Sequence, residues 1–462
     1  MASSKKLPAL NSASLRRRTS TIQQADAHPL SVTLHQFLTQ YVLAHHAKPT
    51  LLLALSGGLD SMVLLDLLAS LRDKVPFYLQ AMHVHHGLSP NADSWAEFCQ
   101  KQCAQRHVPV QIAHVQIHHQ QGLGVEAEAR QLRYQALFKV PAVDFVVTAH
   151  HQDDQAETLL LQLFRGAGVR GLAAMPGVDA TRKLLRPLLQ QSRLSLESYA
   201  RLQSLQWCED ESNDCIEYER NFVRHEVVPV LESRYPSLKN VLARTAMHMA
   251  EADILLKDLA QLDARSVLVD NTLCLKGLAQ LSMPRIKNIL RWWFAENGLS
   301  MPTAEYLQEI VEQLLYAKKD ADLNLPLQHL ILRKYQARAY LCEDKPAHAF
   351  NLVWNGEASL HLPSGGKLLF NQVSGKGLKL RLGMTKLRIS NRDGGERFKP
   401  NPLRPTRTLK YLLQEIGMPP WKRQYLPLVY WEDKLACVPG IGIAYGLEAA
   451  AGEAGLEIIW QE

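Results

Sequence analysis

The sequence predicts an α/β fold: a Rossmann-like parallel sheet, then a helical middle region and a small α+β C-terminal region. Three observations predict it. Between residues 50 and 165, short apolar runs alternate with amphipathic stretches, strand then helix, four times over. That alternation makes a parallel sheet covered on both faces, whose ligands bind beyond the carboxyl ends of the strands. After about residue 225 the apolar spacing becomes helical, and from about Asn351 short strand-like pieces broken by Gly and Pro take over.

In chain order, Leu30 to His46 carries a helical apolar pattern leading into the first domain. Thr50–Leu55 reads as a buried strand and Met62–Leu71 as a helix. Phe77–Val84 is a strand and Ala92–Gln105 a helix; Val108–Ile117 is a strand and Val125–Phe138 a helix; Asp144–Thr148 is a strand and Gln155–Arg165 a helix. Long helices are expected over Glu226–Arg265 and Arg285–Tyr316. The expected organisation is a basic disordered tail (1–29), an α/β domain (30–227), a helical domain (228–345) and a basic C-terminal domain (346–462). A chain of 462 residues is long enough for about three such domains.

Composition narrows the class. Apolar residues make up 47% and charged residues 21%, as in ordinary globular proteins. The net charge of +7 permits an anionic partner without demanding one. The charge is concentrated: residues 376–423 hold 13 Lys/Arg against three acids. The seven cysteines are sparse and form no CxxC pair, which fits a reduced cytoplasm better than a disulfide framework. Cys99 and Cys103, four apart on one helix face, read as core residues. No apolar run approaches the ~20 residues of a membrane span, so no membrane partner is expected. The first 25 residues, with Lys5, Lys6 and Arg16 to Arg18 and no acid, read as a basic tail, although an organellar transit peptide shares that composition.

The first strand runs into Ser56-Gly57-Gly58-Leu59-Asp60-Ser61, and a helix follows. Two adjacent glycines let the backbone turn sharply and approach a ligand closely. The loop N–H groups and the helix N-terminus then face an anion, with Ser56 and Ser61 adding hydroxyl donors. Asp60 beside a phosphate implies a cation between them, and Mg²⁺ suits an oxygen ligand there. The loop is neither GxxxxGK[ST] nor GxGxxG; a plain Ser/Gly turn capping a helix remains the alternative.

Other clusters fall at later strand ends. His83-Val84-His85-His86-Gly87-Leu88 closes the second strand, and His86 is the favoured nucleotide or substrate contact. Arg130 and Arg133 lie three apart on one helix face, where they can steady phosphate charge or form solvated ion pairs of ~0.3–0.5 kcal/mol. Thr148-Ala149-His150-His151-Gln152-Asp153-Asp154-Gln155-Ala156-Glu157 follows the fourth strand. Asp154 and Glu157, three apart, can share a cleft; they can also be helix caps. The cluster could hold Mg²⁺, bind an ammonium group or take a proton from an attacking amine, and it lacks the HExxH spacing of a zinc site.

SGGLDS after a buried strand resembles the signature of the ATP pyrophosphatases, or PP-loop family, with its adenine nucleotide alpha hydrolase-like fold. More specific is an ordered set: HHGL, EAxARxxRY, TAHHxDDQxET, RGxGxxGL, Arg186-Pro187-Leu188-Leu189, and the stretch from Trp207 to Arg224. Together these resemble the tRNA(Ile)-lysidine synthetases over about residues 50–230. Downstream, Gly394-Gly395-Glu396-Arg397-Phe398, Leu409-Lys410 and Pro419-Pro420-Trp421-Lys422-Arg423 are similar to the C-terminal domain of the long bacterial form.

The resemblance implies that ATP adenylates the C2 oxygen of the wobble cytidine in a CAU anticodon of tRNA(Ile), after which the side-chain amine of free lysine displaces AMP to give lysidine and move the codon read from AUG to AUA. It implies catalytic or metal roles for Asp60, His150, Asp154 and Glu157, with Arg130 and Arg133 as the motif arginines. It also implies ATP contacts from Ser56, Gly57, Gly58, Leu59, Asp60, Ser61 and His86, and Mg²⁺ on Asp60 and Asp154. tRNA contacts are expected from Arg397, Lys410, Lys422 and Arg423, while Trp421 reads as core. A homodimer is allowed. The rivals are another PP-loop enzyme, such as a tRNA thiolase or an amidotransferase-type synthetase, and a non-catalytic RNA-binding protein. No cysteine sits within residues 56–61, 83–88 or 148–158, which weighs against the thiolase, and the acids at 60, 154 and 157 weigh against the third.

Overall fold

The computed structural model describes residues 28–117, 124–211, 215–318, 323–344, 349–363, 365–379 and 386–461. The basic tail expected at the N-terminus and Ser212 to Asp214 of the last motif lie outside the described residues. Contacts divide the chain into two compact units, at Leu255/Leu256.

In the first unit, α1 (Pro29–Leu38) runs on as a π-helical turn, Thr39–Leu43, and the expected alternation follows: β1 (Thr50–Ala54), α2 (Leu59–Leu71), β2 (Tyr78–His85), α3 (Ala92–Gln105), β3 (Val110–His114), α4 (Val125–Phe138), β4 (Phe145–Val147) and α5 (Gln152–Phe164). Short elements complete the sheet and its margin: α6 (Val169–Leu172), β5 (Val178–Asp179), β6 (Leu184–Leu185) and α7 (Arg193–Leu202). The strand order is β3-β2-β1-β4-β6-β5, parallel except for the β5–β6 pair.

Alternation along β1 explains why the strand sits in the middle. Leu51 and Leu53 enter the larger core with Met62, Leu64 and Leu68 of α2. Leu52 points the other way, against Met82, Val84, Leu137 and Val146. Each face is covered, which removes about 25 cal/mol of cost per Å² of apolar surface taken from water. After β1 the chain builds outward through β2 and β3, then returns to place β4 on β1's other edge. The carboxyl ends of β1 and β4 therefore flank the topological switch point, where such sheets bind ligands.

The helix expected over Glu226–Arg265 is divided. After α8 (Glu219–Phe222) and a π-helical turn (Val223–Val227), α9 covers Val228–Arg234 and α10 Leu238–Val267. Tyr235-Pro236 separates them, since the residue before proline is pushed out of helical geometry.

In the second unit, α11 (Leu275–Leu278), α12 (Met283–Glu296) and α13 (Ala304–Tyr316) pack around Trp293, Phe294 and Ile310. Arg285–Tyr316 is thus two helices, separated at Gly298 (φ +73°). The middle region also carries a sheet, of β7 (Leu268–Val269), β8 (Thr272–Cys274), β9 (Asn324–Leu327), β10 (Leu330–Tyr335) and β11 (Arg338–Glu343). Its central hairpin, β10–β11, turns through Gln336-Ala337, both with positive φ, and so lacks the Gly or Asn that would announce it in the sequence. The C-terminal region is α+β, as expected. One sheet comprises β12 (Asn351–Trp354), β16 (Leu387–Ser390), β19 (Leu428–Trp431), β20 (Lys434–Val438) and β21 (Gly442–Ile443). Another comprises β13 (Ser359–His361), β14 (Lys367–Ser374), β15 (Leu378–Lys379) and β22 (Ala454–Gln461). The hairpin of β17 (Arg397–Phe398) and β18 (Arg407–Thr408) leads into α14 (Leu409–Glu415), and α15 (Pro420–Arg423) follows.

Candidate active site

β1 delivers the chain to Ser56-Gly57-Gly58, and α2 starts at Leu59. Gly57 has φ +90°, a region that L side chains rarely adopt, and a Cβ there would lie 3.2 Å from Cys99 Sγ. Glycine is required by both counts. Inside the loop, Ser61 Oγ accepts from Gly57 N (3.1 Å) and donates to Gly58 O (2.9 Å), while Ser56 Oγ accepts from Gly58 N at 3.3 Å. From outside, Cys208 N donates to Gly57 O (2.9 Å), fastening the Trp207–Asp210 segment onto the loop.

This loop opens into a cavity of about 270 Å³ lined by Ser56, Asp60, Ser61, His86, Arg133, His150 and Asp154, among others. A second cavity of about 530 Å³ adds Arg130, Tyr218 and Asn221. Both are lined by His86, Trp95, Arg133 and Asp210, so the two are neighbours. The structure therefore brings the loop, Asp60, His86, Arg130, Arg133, His150 and Asp154 together around one cleft.

The charges in that cleft are distributed unevenly. α5 begins three residues earlier than its periodicity suggests, so Asp153 and Asp154 fall in its first turn. His151 is the N-cap: its Nδ1 accepts from Asp153 N (3.2 Å), and Asp154 Oδ2 accepts from His151 N (2.9 Å). This reciprocal pair is a capping box with histidine in the Ser/Thr place. His151 Nε2 lies 3.5 Å from Asp60 Oδ2 and 3.5 Å from Asp154 Oδ2, tying the β1 loop to the β4 loop. Burial alone would lower the His151 pKa, but its hydrogen bond to Asp60 and the surrounding aspartates raise it. Burial opposes ionisation of Asp154 as well, yet His151, Arg220 and His150 hold its carboxyl down at about 2. His150 behaves oppositely: burial pushes it down to about 3, with Asp154 opposing and Arg186, Arg130 and Arg220 assisting. It is neutral at pH 7, its Nδ1 paired with Thr148 Oγ1 at 2.8 Å. His86, lowered by burial and by Arg133, is neutral too.

Glu157 has a different situation from the one its spacing suggests. It is 3% exposed, lines neither cavity, and has both oxygens engaged. Arg220 Nε donates to Oε2 (2.7 Å) and Arg224 Nε to Oε1 (2.6 Å), while Arg220 Nη2 reaches on to Asp154 Oδ1 at 2.8 Å. The two arginines were visible in the sequence as motif letters only; nothing local says that they cross more than 60 residues to clamp α5. Arg186 is buried too: its Nη1 donates to Pro176 O at 2.8 Å, while its Nε has no hydrogen-bond partner.

One carboxylate oxygen remains unassigned. Asp60 Oδ1 is buried without a hydrogen-bond partner, and so is His86 Nδ1. Unpaired buried polar atoms are costly and call for a ligand. An orphan carboxylate oxygen beside a glycine cradle fits Mg²⁺ on a polyphosphate. Among the described residues no group of three or more His, Cys, Asp and Glu is arranged to hold a metal by itself, so phosphate oxygens would complete the shell.

In the C-terminal region, Arg397 and Lys410 are exposed. Lys410 lines a cavity of about 360 Å³ with Arg392, Gly394 and Arg423. Lys422 is half-buried. Arg423 is only 7% exposed and commits two of its five N–H donors, to Met418 O (2.7 Å) and Tyr335 Oη (2.8 Å), bracing α15 against β10. Trp421 is core, edge-on to Tyr335 and Tyr340.

A glycine loop after the central strand, facing acids from the neighbouring strand end across a switch-point cleft, defines a nucleotide-cleaving α/β enzyme of the PP-loop class. Family models agree: a PP-loop domain matches residues 29–231, the TilS substrate binding domain 273–340, and the TilS substrate C-terminal domain 387–460. A tRNA(Ile)-lysidine synthase of Nitrosomonas europaea is 41% identical over 89% of this chain and 91% of its own. Those of Azoarcus sp. (42%, over 88% of this chain and 90% of its own) and Coxiella burnetii (38%, over 91% and 95%) are similar. The chain belongs to the tRNA(Ile)-lysidine synthase family.

Proposed function

We propose that this protein is the ATP-dependent ligase that joins lysine to C2 of the wobble cytidine in the CAU anticodon of tRNA(Ile), forming lysidine. The observation that carries the reading is the cleft itself: the β1 glycine loop, Asp60 with its unpaired oxygen, and Asp154 line one space.

In the first step the cytidine O2 attacks the α-phosphorus of ATP; an O–P bond forms and pyrophosphate leaves. The Ser56 and Ser61 hydroxyls would face the phosphates at the N-terminus of α2, on a turn shaped by Gly57, Gly58 and Leu59, and His86 meets the nucleotide as a neutral ring. Asp60 and Asp154 would hold Mg²⁺, which when bound offsets phosphate charge and eases departure of pyrophosphate. Arg130 and Arg133 extend that compensation towards the second cavity. In the second step the lysine amine attacks C2; a C–N bond forms, the C–O bond to AMP breaks, and the amine gives up a proton. The amine arrives charged at neutral pH. Asp154, which lines the cavity and stays ionised, would attract the ammonium, whose proton passes to solvent. His150 supplies an uncharged wall. Glu157 acts behind Asp154, as the anchor of Arg220 and Arg224.

Residues 30–227 would form the catalytic domain, with 228–345 and 346–462 binding tRNA. Arg397, Lys410 and Lys422 are the proposed phosphate contacts, with Arg423 as their brace. Action in the cytoplasm accords with free thiols throughout. The test is incubation with ATP, Mg²⁺, radiolabelled lysine and unmodified tRNA carrying CAU. ATP-dependent entry of label into the RNA supports ligation; unlabelled RNA with intact ATP would overturn it in favour of a binding protein.

A further inference from the structure

Asp153, the first of the adjacent aspartates, faces away from the cleft chemistry and lines neither cavity. It is nonetheless strongly held. Its Oδ1 accepts from Arg193 N, the first residue of α7, at 3.2 Å. Its Oδ2 takes Lys239 Nζ, in the first turn of α10, at 2.7 Å. Lys239 also lies 3.4 Å from Glu232 on α9. Three elements, α5, α7 and α10, thus meet at one carboxylate, and α9 reaches it only through Lys239. Both partners are charged: Asp153 is lowered, Lys239 and the Arg193 N–H outweighing its burial, and Lys239 is raised, Asp153 and Glu232 outweighing its own. The Asp153 side chain is 14% exposed and that of Lys239 33%, so this is not a fully solvated pair of negligible strength.

The position of the pair in the helix gives it meaning. Residues 151 and 154 flank it in the same turn: one is buried behind the cleft and the other lines it. His151 meets Asp60, and Asp154 lines the cavity. A lysine pulling on residue 153 from outside fixes the turn from which both project. We propose that Lys239 is a positioning residue for the reaction: through Asp153 it sets the first turn of α5, and so the alignment of His151 and Asp154 with Asp60. This rests on the proposed ligation, and it makes the start of α10 part of the catalytic apparatus. Small errors in the placement of reacting groups cost rate far more than binding.

The experiment is a steady-state comparison of wild type with Lys239→Met, Lys239→Arg, Asp153→Asn and the Met/Asn double variant, with thermal melts alongside. Lys239→Met should lower kcat about tenfold, leaving KM for ATP, lysine and tRNA within about twofold and the melt cooperative. Lys239→Arg, which can still reach Asp153, should restore more than half of kcat. The double variant should be no slower than the worse single one, because both remove the same link. Wild-type kcat in Lys239→Met, an Arg variant as impaired as the Met one, or multiplying losses in the double variant would each overturn the proposal. An inactive wild type would instead overturn the ligation reading.

Discussion

At Asp60, one carboxylate oxygen lies 3.5 Å from His151 Nε2 and the other is buried without a partner. Asp60→Asn keeps the shape and removes the charge, so kcat should fall by ~100-fold or more, the scale of losing one preorganised charge at a reacting centre. tRNA affinity measured by filter binding should stay within twofold; equal loss of both would mean misfolding. Glu157 is a different kind of residue. Glu157→Gln removes one of the two carboxylates that Arg220 and Arg224 share, Asp154 being the other, and should cost about 1–3 kcal/mol, read as a lowered urea midpoint. The two adjacent histidines should separate in an NMR titration. His150 stays neutral down to about 3, whereas His151 titrates above 6.5. Because the folded-state pKa of His151 is raised, its contribution to stability is complete below 6.5 and is lost as pH rises through the raised value. A His151 titrating below 6.5 would contradict the Asp60 contact.

The loop between β1 and α2 shows how an element can depend on one residue and tolerate change at the next. Gly57 combines φ +90° with a wall at 3.2 Å, but Gly58 has φ −73° and nothing nearer than 3.5 Å. Gly57→Ala should therefore destabilise the fold by ~1–3 kcal/mol, the cost of a strained backbone position. Gly58→Ala should melt like wild type, since its added methyl meets Ser56 Oγ at 3.5 Å and nothing closer. Identical melts for the two variants would mean that the loop conformation differs from the one described. The loop was legible in the sequence because its chemistry is local: glycine pair, serines and following helix occupy six consecutive positions. The start of α5 was less so. Its apolar spacing begins at Gln155, while the polar first turn, Gln152 to Asp154, is specified by a histidine cap that periodicity does not reveal.

For the whole molecule, the basic excess of residues 376–423 should appear in the salt dependence of tRNA binding. Removing a true phosphate contact reduces the slope of log K against log salt by roughly one. Arg397→Ala and Lys410→Ala, both at exposed positions, should each do so. Arg423→Ala should instead lower stability with the slope unchanged, because its guanidinium donates to Met418 O and Tyr335 Oη. A reduced slope for Arg423→Ala would return it to the tRNA surface.

The sequence by itself determined the parallel sheet, the glycine loop and the cleft-lining residues at the strand ends. These follow from periods of two and 3.6 and from side chains a few positions apart, and local physics sets both. Only the tertiary structure decided which charges are available for chemistry. It bound Glu157 to Arg220 and Arg224, buried Arg423, joined Lys239 to Asp153 and left one buried oxygen of Asp60 without a partner. Such pairings span tens of residues, and whether a charge is spent or free depends on which partner packing brings within 3 Å.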